Sequence, residues 1–134
     1  MKEFNWPVRV YYEDTDAAGV VYHSNYLKFM ERARTEWLRE LGYSQQKLRD
    51  ESNTTIVIAS VEMKFIKAAK LDDLLTVNTR LVSSGATSLL CDQLVQQENE
   101  NICSARVKCV CVNSATFKPQ RLPAELKSEM IYDN

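Results

Sequence analysis

What most constrains this chain is a change of period after residue 41. From Ser24 to Leu41 apolar residues recur at spacings of three and four: Tyr26, Met30, Ala33, Trp37 and Leu41, with Leu27 and Leu38 widening the stripe. That spacing predicts one amphipathic helix, capped at its start by Ser24 or Asn25 and ended by Gly42. Arg32, Glu36 and Arg39 put opposite charges one turn apart on its outer face. Its 18 residues would span about 27 Å, the width of a small domain. Beyond the helix the period is two. Val57, Ala59, Val61, Met63 and Phe65 predict one strand and Leu75, Val77, Thr79 and Leu81 a second. Ser88 to Gln97 and Ile102 to Val112 predict two more, with turns at SSGAT (83–87) and ENEN (98–101). A β-prone run, Trp6 to Tyr12, precedes the helix, and a short helix is expected after Pro123.

One strand, one long helix and four strands joined by short turns fit few architectures. Short turns make sequential strands antiparallel, and a long amphipathic helix needs one broad apolar face to lie on. The expected class is α+β, a bent five-stranded antiparallel sheet wrapped around a central helix. At 134 residues and 15.4 kDa the whole chain, 1–134, reads as one domain. A single helix covers one side of such a sheet and leaves edge strands unpaired, so a homodimer or homotetramer is expected.

Charge and cysteines narrow the functional classes. Seventeen basic against eighteen acidic residues give a net charge of -1, which supplies no global attraction for nucleic acid or anionic lipid. No stretch reaches the roughly 18 apolar residues of a membrane span. The opening MKEFNWPVRVYYED has no apolar signal block, so a cytoplasmic location is expected. Cys91, Cys103, Cys109 and Cys111 read as buried free thiols. A metal site would want CxxC loops or several histidines, and the sequence offers one C-x-C and one histidine, His23.

Chemistry concentrates in residues 11–26, Y-Y-E-D-T-D-A-A-G-V-V-Y-H-S-N-Y. There is no G-x-S-x-G elbow and no phosphate-binding glycine loop. Glu13, Asp14 and Asp16 put three carboxylates within four positions at a strand end. Gly19 permits a tight turn or the close approach of a ligand. Tyr22-His23-Ser24 then leads into the helix, whose first amides lack intrahelical partners. A carbonyl oxygen placed there would be polarised while a carboxylate drives attack. One oxyanion donor is worth about 10²–10³ in rate and a positioned base about 10²–10⁴. A thioester suits this arrangement, because its thiolate leaves without strong acid assistance. The competing interpretation is a solvated acidic turn.

The same residues, continued as L-K-F-M-E-R-A-R, closely resemble the signature of hotdog-fold acyl-CoA thioesterases of the 4-hydroxybenzoyl-CoA thioesterase type, and within them the bacterial Tol–Pal-associated, YbgC-like branch. The likeness runs from W-P-V-R-V-Y-Y through A-x-L-D-D (Ala69 to Asp73) to the K-P-x-R-L-P ending at Pro123. It implies a homo-oligomeric hotdog thioesterase that hydrolyses acyl-CoA to acid and CoA without a metal or separate cofactor. It also implies that Asp16 is the essential carboxylate, as general base or nucleophile, and that the amide of His23 or a neighbour polarises the carbonyl. Tyr12 and His23 match positions placed at the site in this branch, and Asp14 braces the turn. Gly19, Val20, Tyr22, Ser24 and Asn25 are implied substrate contacts, with Arg121 meeting CoA phosphate. Lys118 and the pair Thr87-Ser88 are the weaker phosphate candidates, and all three read as solvated surface. An alternative is a module that binds acyl-CoA or acyl carrier protein in envelope-lipid metabolism with little turnover. A hotdog dehydratase is disfavoured, since such enzymes resemble a different helix, one carrying a His/Glu pair that this sequence lacks. One departure stands out: A-A-G where relatives often show A-G-G or P-A-G, with Gly19 itself kept.

Overall fold

The computed structural model describes residues 3–131. Strand β1 (Glu3–Arg9) is followed by helix α1 (Asn25–Glu40), helix α2 (Gln45–Ser52), strands β2 (Thr54–Phe65), β3 (Leu74–Ser84), β4 (Ser88–Gln97) and β5 (Glu100–Asn113), and helix α3 (Ala124–Ile131). The strands form one sheet in the order β1-β3-β4-β5-β2, and every neighbouring pair is antiparallel. Short turns dictate the β3-β4-β5 meander. The two strands that flank the long helix fall at opposite edges.

Alternation turns every second residue along each strand toward the face that holds α1, and residues paired across strands share that face. Val77, Val95, Cys103 and Phe65 share one cross-strand row, and Leu81, Cys91, Val107 and Val61 another. Against this face α1 buries Tyr26, Phe29, Met30, Ala33, Trp37 and Leu38. Phe29 is fully buried where the expected stripe had Leu27, which is 44% exposed. All four cysteines are free and buried on the sheet. None of the described helices is long and apolar enough to cross a membrane.

Three local features depart from the expected pattern. First, β1 ends at Arg9 instead of reaching Tyr12, and Tyr12–Asp14 form a 3-10 turn. Asp14 causes this, because its Oδ2 accepts from the Tyr11 amide at 2.8 Å and pulls the backbone out of the sheet. Second, β2 carries a bulge between Ile58 and Ser60. Before it Ile56 and Ile58 pair with the buried Cys111 and Cys109; after it Val61, Met63 and Phe65 pair with Val107, Ala105 and Cys103. The expected single alternation from Val57 therefore breaks at Ala59, since one extra residue exchanges the faces. Third, α2 has no counterpart in the periodicity. Ser44 accepts from the Lys47 amide at 3.0 Å to cap it, and Asn53 ends it in the left-handed region at φ 49.

Candidate active site

The acidic segment folds back on itself just before α1. Asp16 N donates to Val20 O at 2.9 Å, Gly19 N donates to Asp16 O at 3.0 Å, and Thr15 bridges Val21. Gly19 sits at φ +79 with open space where a side chain would lie. Its freedom serves the turn, and it leaves the backbone open to an approaching group. Asp16 Oδ1 accepts from the Ala18 amide at 2.8 Å, which fixes the carboxylate on the turn. Val21 N donates to Ala69 O at 2.8 Å and Val20 bridges Lys70, so the segment is stitched to the connection after β2.

This stitching makes a cleft of about 350 Å³ whose lining includes Asp16, Val20, His23, Tyr26, Phe65 and Ile66. Asp16 and His23 thus share one cleft at the entrance of α1. The His23 ring stacks on Tyr22 at 4.4 Å and meets Phe65 edge-on at 6.2 Å. Tyr26 Oη accepts from the Ala69 amide at 3.2 Å, which holds the cleft's far wall against α1. Burial pushes the Tyr26 phenol above its ordinary range, so it stays protonated. Among the described residues, no backbone carbonyl accepts from the amides of His23 or Ser24. Two free donors therefore stand at the positive end of the helix, next to the cleft.

The other expected residues fare differently. Val20 lines the cleft and Gly19 shapes the turn beside it. Tyr22 supports the His23 ring but does not line the cleft. Ser24 precedes α1, and its hydroxyl caps no amide. Asn25 donates its side-chain amide to Asp14 Oδ1 at 2.9 Å and so is engaged within the chain. Tyr12 is 83% exposed on the 3-10 turn, beside Tyr11, Glu13, Leu71 and Asp72, and lies outside the cleft. Arg121 is exposed on the segment before α3, also outside the cleft. Phe65 and Ile66 were missed by sequence reasoning. The clue was available: two adjacent large apolar residues at a strand end cannot both face inward.

Residues 10–130 match the thioesterase-like superfamily. The chain belongs to that superfamily. It is 45% identical over 125 residues to the acyl-CoA thioesterase YbgC of Haemophilus influenzae, covering 93% of this chain and 92% of the relative. It is 46% identical over 127 residues to the acyl-CoA thioester hydrolase YbgC of Escherichia coli O6:H1, with 94% of each covered. A probable thioesterase from Bartonella henselae superimposes with a TM-score of 0.87 at 33% identity, covering 91% of this chain and 100% of that one. The five-stranded sheet around α1 is accordingly the hotdog fold of the thioesterase-like superfamily, as the resemblance implied. Among the described residues no group of three or more His, Cys, Asp or Glu side chains is placed to hold a metal ion.

Proposed function

We propose that the protein hydrolyses acyl-CoA to a free carboxylic acid and CoA, with Asp16 as the reacting carboxylate. The observation that carries this reading is the cleft shared by Asp16 and His23, beside two amides with no carbonyl partner. A thioester carbonyl oxygen set on those amides would gain donors as it becomes an oxyanion. Asp16, held through Oδ1 with Oδ2 unengaged by any described residue, would then activate water or attack the carbonyl carbon directly. CoA leaves as a thiolate, so the route needs no metal or cofactor. His23, gripped between Tyr22 and Phe65, would orient the acyl group against Asp16. Arg121 lies on an exposed segment where it would meet the nucleotide phosphates.

The working unit in this proposal is a homo-oligomer. Edge strand β2 leaves Ile58 46% exposed, Val61 38% and Phe65 55%, and Phe65 is also a cleft wall. A second copy laid on β2 would cover these side chains and close the cleft. A reducing compartment such as the cytoplasm suits four free thiols.

Asp16→Asn tests the reading, with free thiol release as the measurement. Asn keeps the oxygen that accepts from Ala18, so the fold should hold while turnover falls by about 10³ or more. Near-normal thiol release from a folded Asp16→Asn protein would overturn it.

A further inference from the structure

A second cavity, of about 300 Å³, lies between α1, α2, β2 and β4-β5 and shares no lining residue with the Asp16 cleft. Its floor is apolar, built from Trp37, Leu38, Ile56, Ile58 and Leu89. Arg34 enters it from α1.

Gln93 decides how Arg34 stands. This glutamine is 1% exposed, and its Nε2 donates to the Met30 carbonyl and to Thr79 Oγ1, both at 2.9 Å. A carbonyl only accepts, so the amide nitrogen must face Met30 and the amide oxygen must face Arg34. Arg34 Nη1 donates to that oxygen at 2.6 Å. A neutral acceptor aims a guanidinium without cancelling its charge.

Nothing else in the cavity cancels it. No carboxylate of the described residues forms an ion pair with Arg34. Glu31, the one acidic residue lining the cavity, accepts instead from Thr35 Oγ1 at 3.0 Å. Cys91 and Cys109 form part of the wall, but burial pushes both thiols up, Cys91 to about 12, so neither supplies a thiolate at neutral pH. Arg49 of α2 adds a second guanidinium against the single carboxylate. An apolar floor below a fixed, uncompensated cation is complementary to an amphipathic anion.

We propose that this cavity binds a ligand that is apolar along most of its length and ends in a carboxylate, which Arg34 receives. Such a group could be a free carboxylic acid or the far end of a dicarboxylic acyl chain still joined to CoA. The second source rests on the proposed thioesterase reaction; the first does not.

Hexanoate is the probe and Trp37 the reporter, in a Trp6→Phe background that leaves Trp37 as the sole tryptophan. Hexanoate should change the fluorescence saturably and hexanol should not. Arg34→Gln should weaken the response about tenfold or more, and Asp16→Asn should leave it intact. Ile58→Phe, which narrows the cavity without adding a tryptophan and replaces neither Arg34 nor Gln93, should block it and guards against a misfolded Arg34 variant. No saturable response, an equal response to hexanol, persistence in both blocking variants, or loss in Asp16→Asn would each overturn the assignment. Hydrolysis of adipyl-CoA against hexanoyl-CoA then separates the sources. Selective loss of the adipyl substrate in Arg34→Gln supports the acyl end, and equal rates support a free acid. A protein that binds hexanoate through Arg34 yet hydrolyses no thioester would sink the proposed function and keep this site.

Discussion

Asn25, the first residue of α1, donates to Asp14 Oδ1 at 2.9 Å, tying the helix to the acidic turn eleven residues earlier. Asp14 is 5% exposed, its other oxygen holds the Tyr11 amide, and its backbone carbonyl accepts from Tyr22 at 2.9 Å. One buried carboxylate therefore sets the distance between the Asp16 turn and the amides that begin α1. Asp14 is spent on holding this turn, and the Asp16 carboxylate bonds only to the Ala18 amide among the described residues.

Asn25→Ala should accordingly cost about 1 kcal/mol, a fall in Tm of roughly 4 °C, and lower kcat more than it raises KM. Asn25→Asp should be worse, since it sets a second carboxylate against Asp14. Melting curves with steady-state thiol release check this. A wild-type kcat in a destabilised Asn25→Ala would reduce the tie to a purely structural one.

The exposed edge of β2 yields a second prediction. Val61→Glu puts a charge into the surface expected to meet a second copy, and at 38% exposure the side chain can reach water in a single chain. Sedimentation should show a shift to monomers with native helix content, and thiol release should drop with it. An unchanged assembly would place the interface elsewhere.

Much of this was legible in the sequence, and what was not has local physical causes. The helix stripe, the meander and the buried thiols follow from period and polarity, which long elements express many times over. The β2 bulge was hidden because Ile56, Val57, Ile58 and Ala59 are all apolar, so alternation cannot show where the faces exchange. Tyr11 and Tyr12 looked like strand because their residue type favours it. The bond from the Tyr11 amide to Asp14 overrides that preference. Helix α2 carries no apolar stripe in the sequence, because only Leu48 of its eight residues is buried. In the cleft, the crowding of residues 11–26 marks the segment and the family resemblance singles out Asp16 and His23 within it, whereas Phe65 joins them only through tertiary folding.

The thiols supply a third prediction. Burial raises all four, Cys91 to about 12 and Cys103 and Cys111 to about 11, so the native protein should resist a disulfide reagent at pH 8. Four thiols should titrate after denaturation. The sign of the pH effect follows: unfolded thiols ionise from about pH 8.5 while the folded ones resist, so stability present at neutral pH declines as the solution turns alkaline. Rapid native labelling would contradict the burial of these strands.

The outer face of the sheet gives the last prediction. Glu3, Arg80, Asp92, Arg106 and Glu62 form one register row across all five strands, alternating in charge. Arg106 grips Asp92 with two bonds, 2.8 and 3.0 Å, and Arg80 stands 3.8 Å away. The bond from Arg106, then its charge and that of Arg80, hold the Asp92 carboxyl below the usual range. A lowered folded pKa stabilises the protein above the unfolded value, and the benefit disappears as pH falls through the folded one. Asp92→Asn should therefore melt slightly below wild type at pH 7, by about 1–2 °C given the exposure of the row. The gap should close as pH falls through the lowered folded pKa and shrink with added salt, as screening weakens the row. Thermal melts of both proteins from pH 2.5 to 7 decide it; a gap that persists undiminished in strong acid would assign the stabilisation to packing instead of charge.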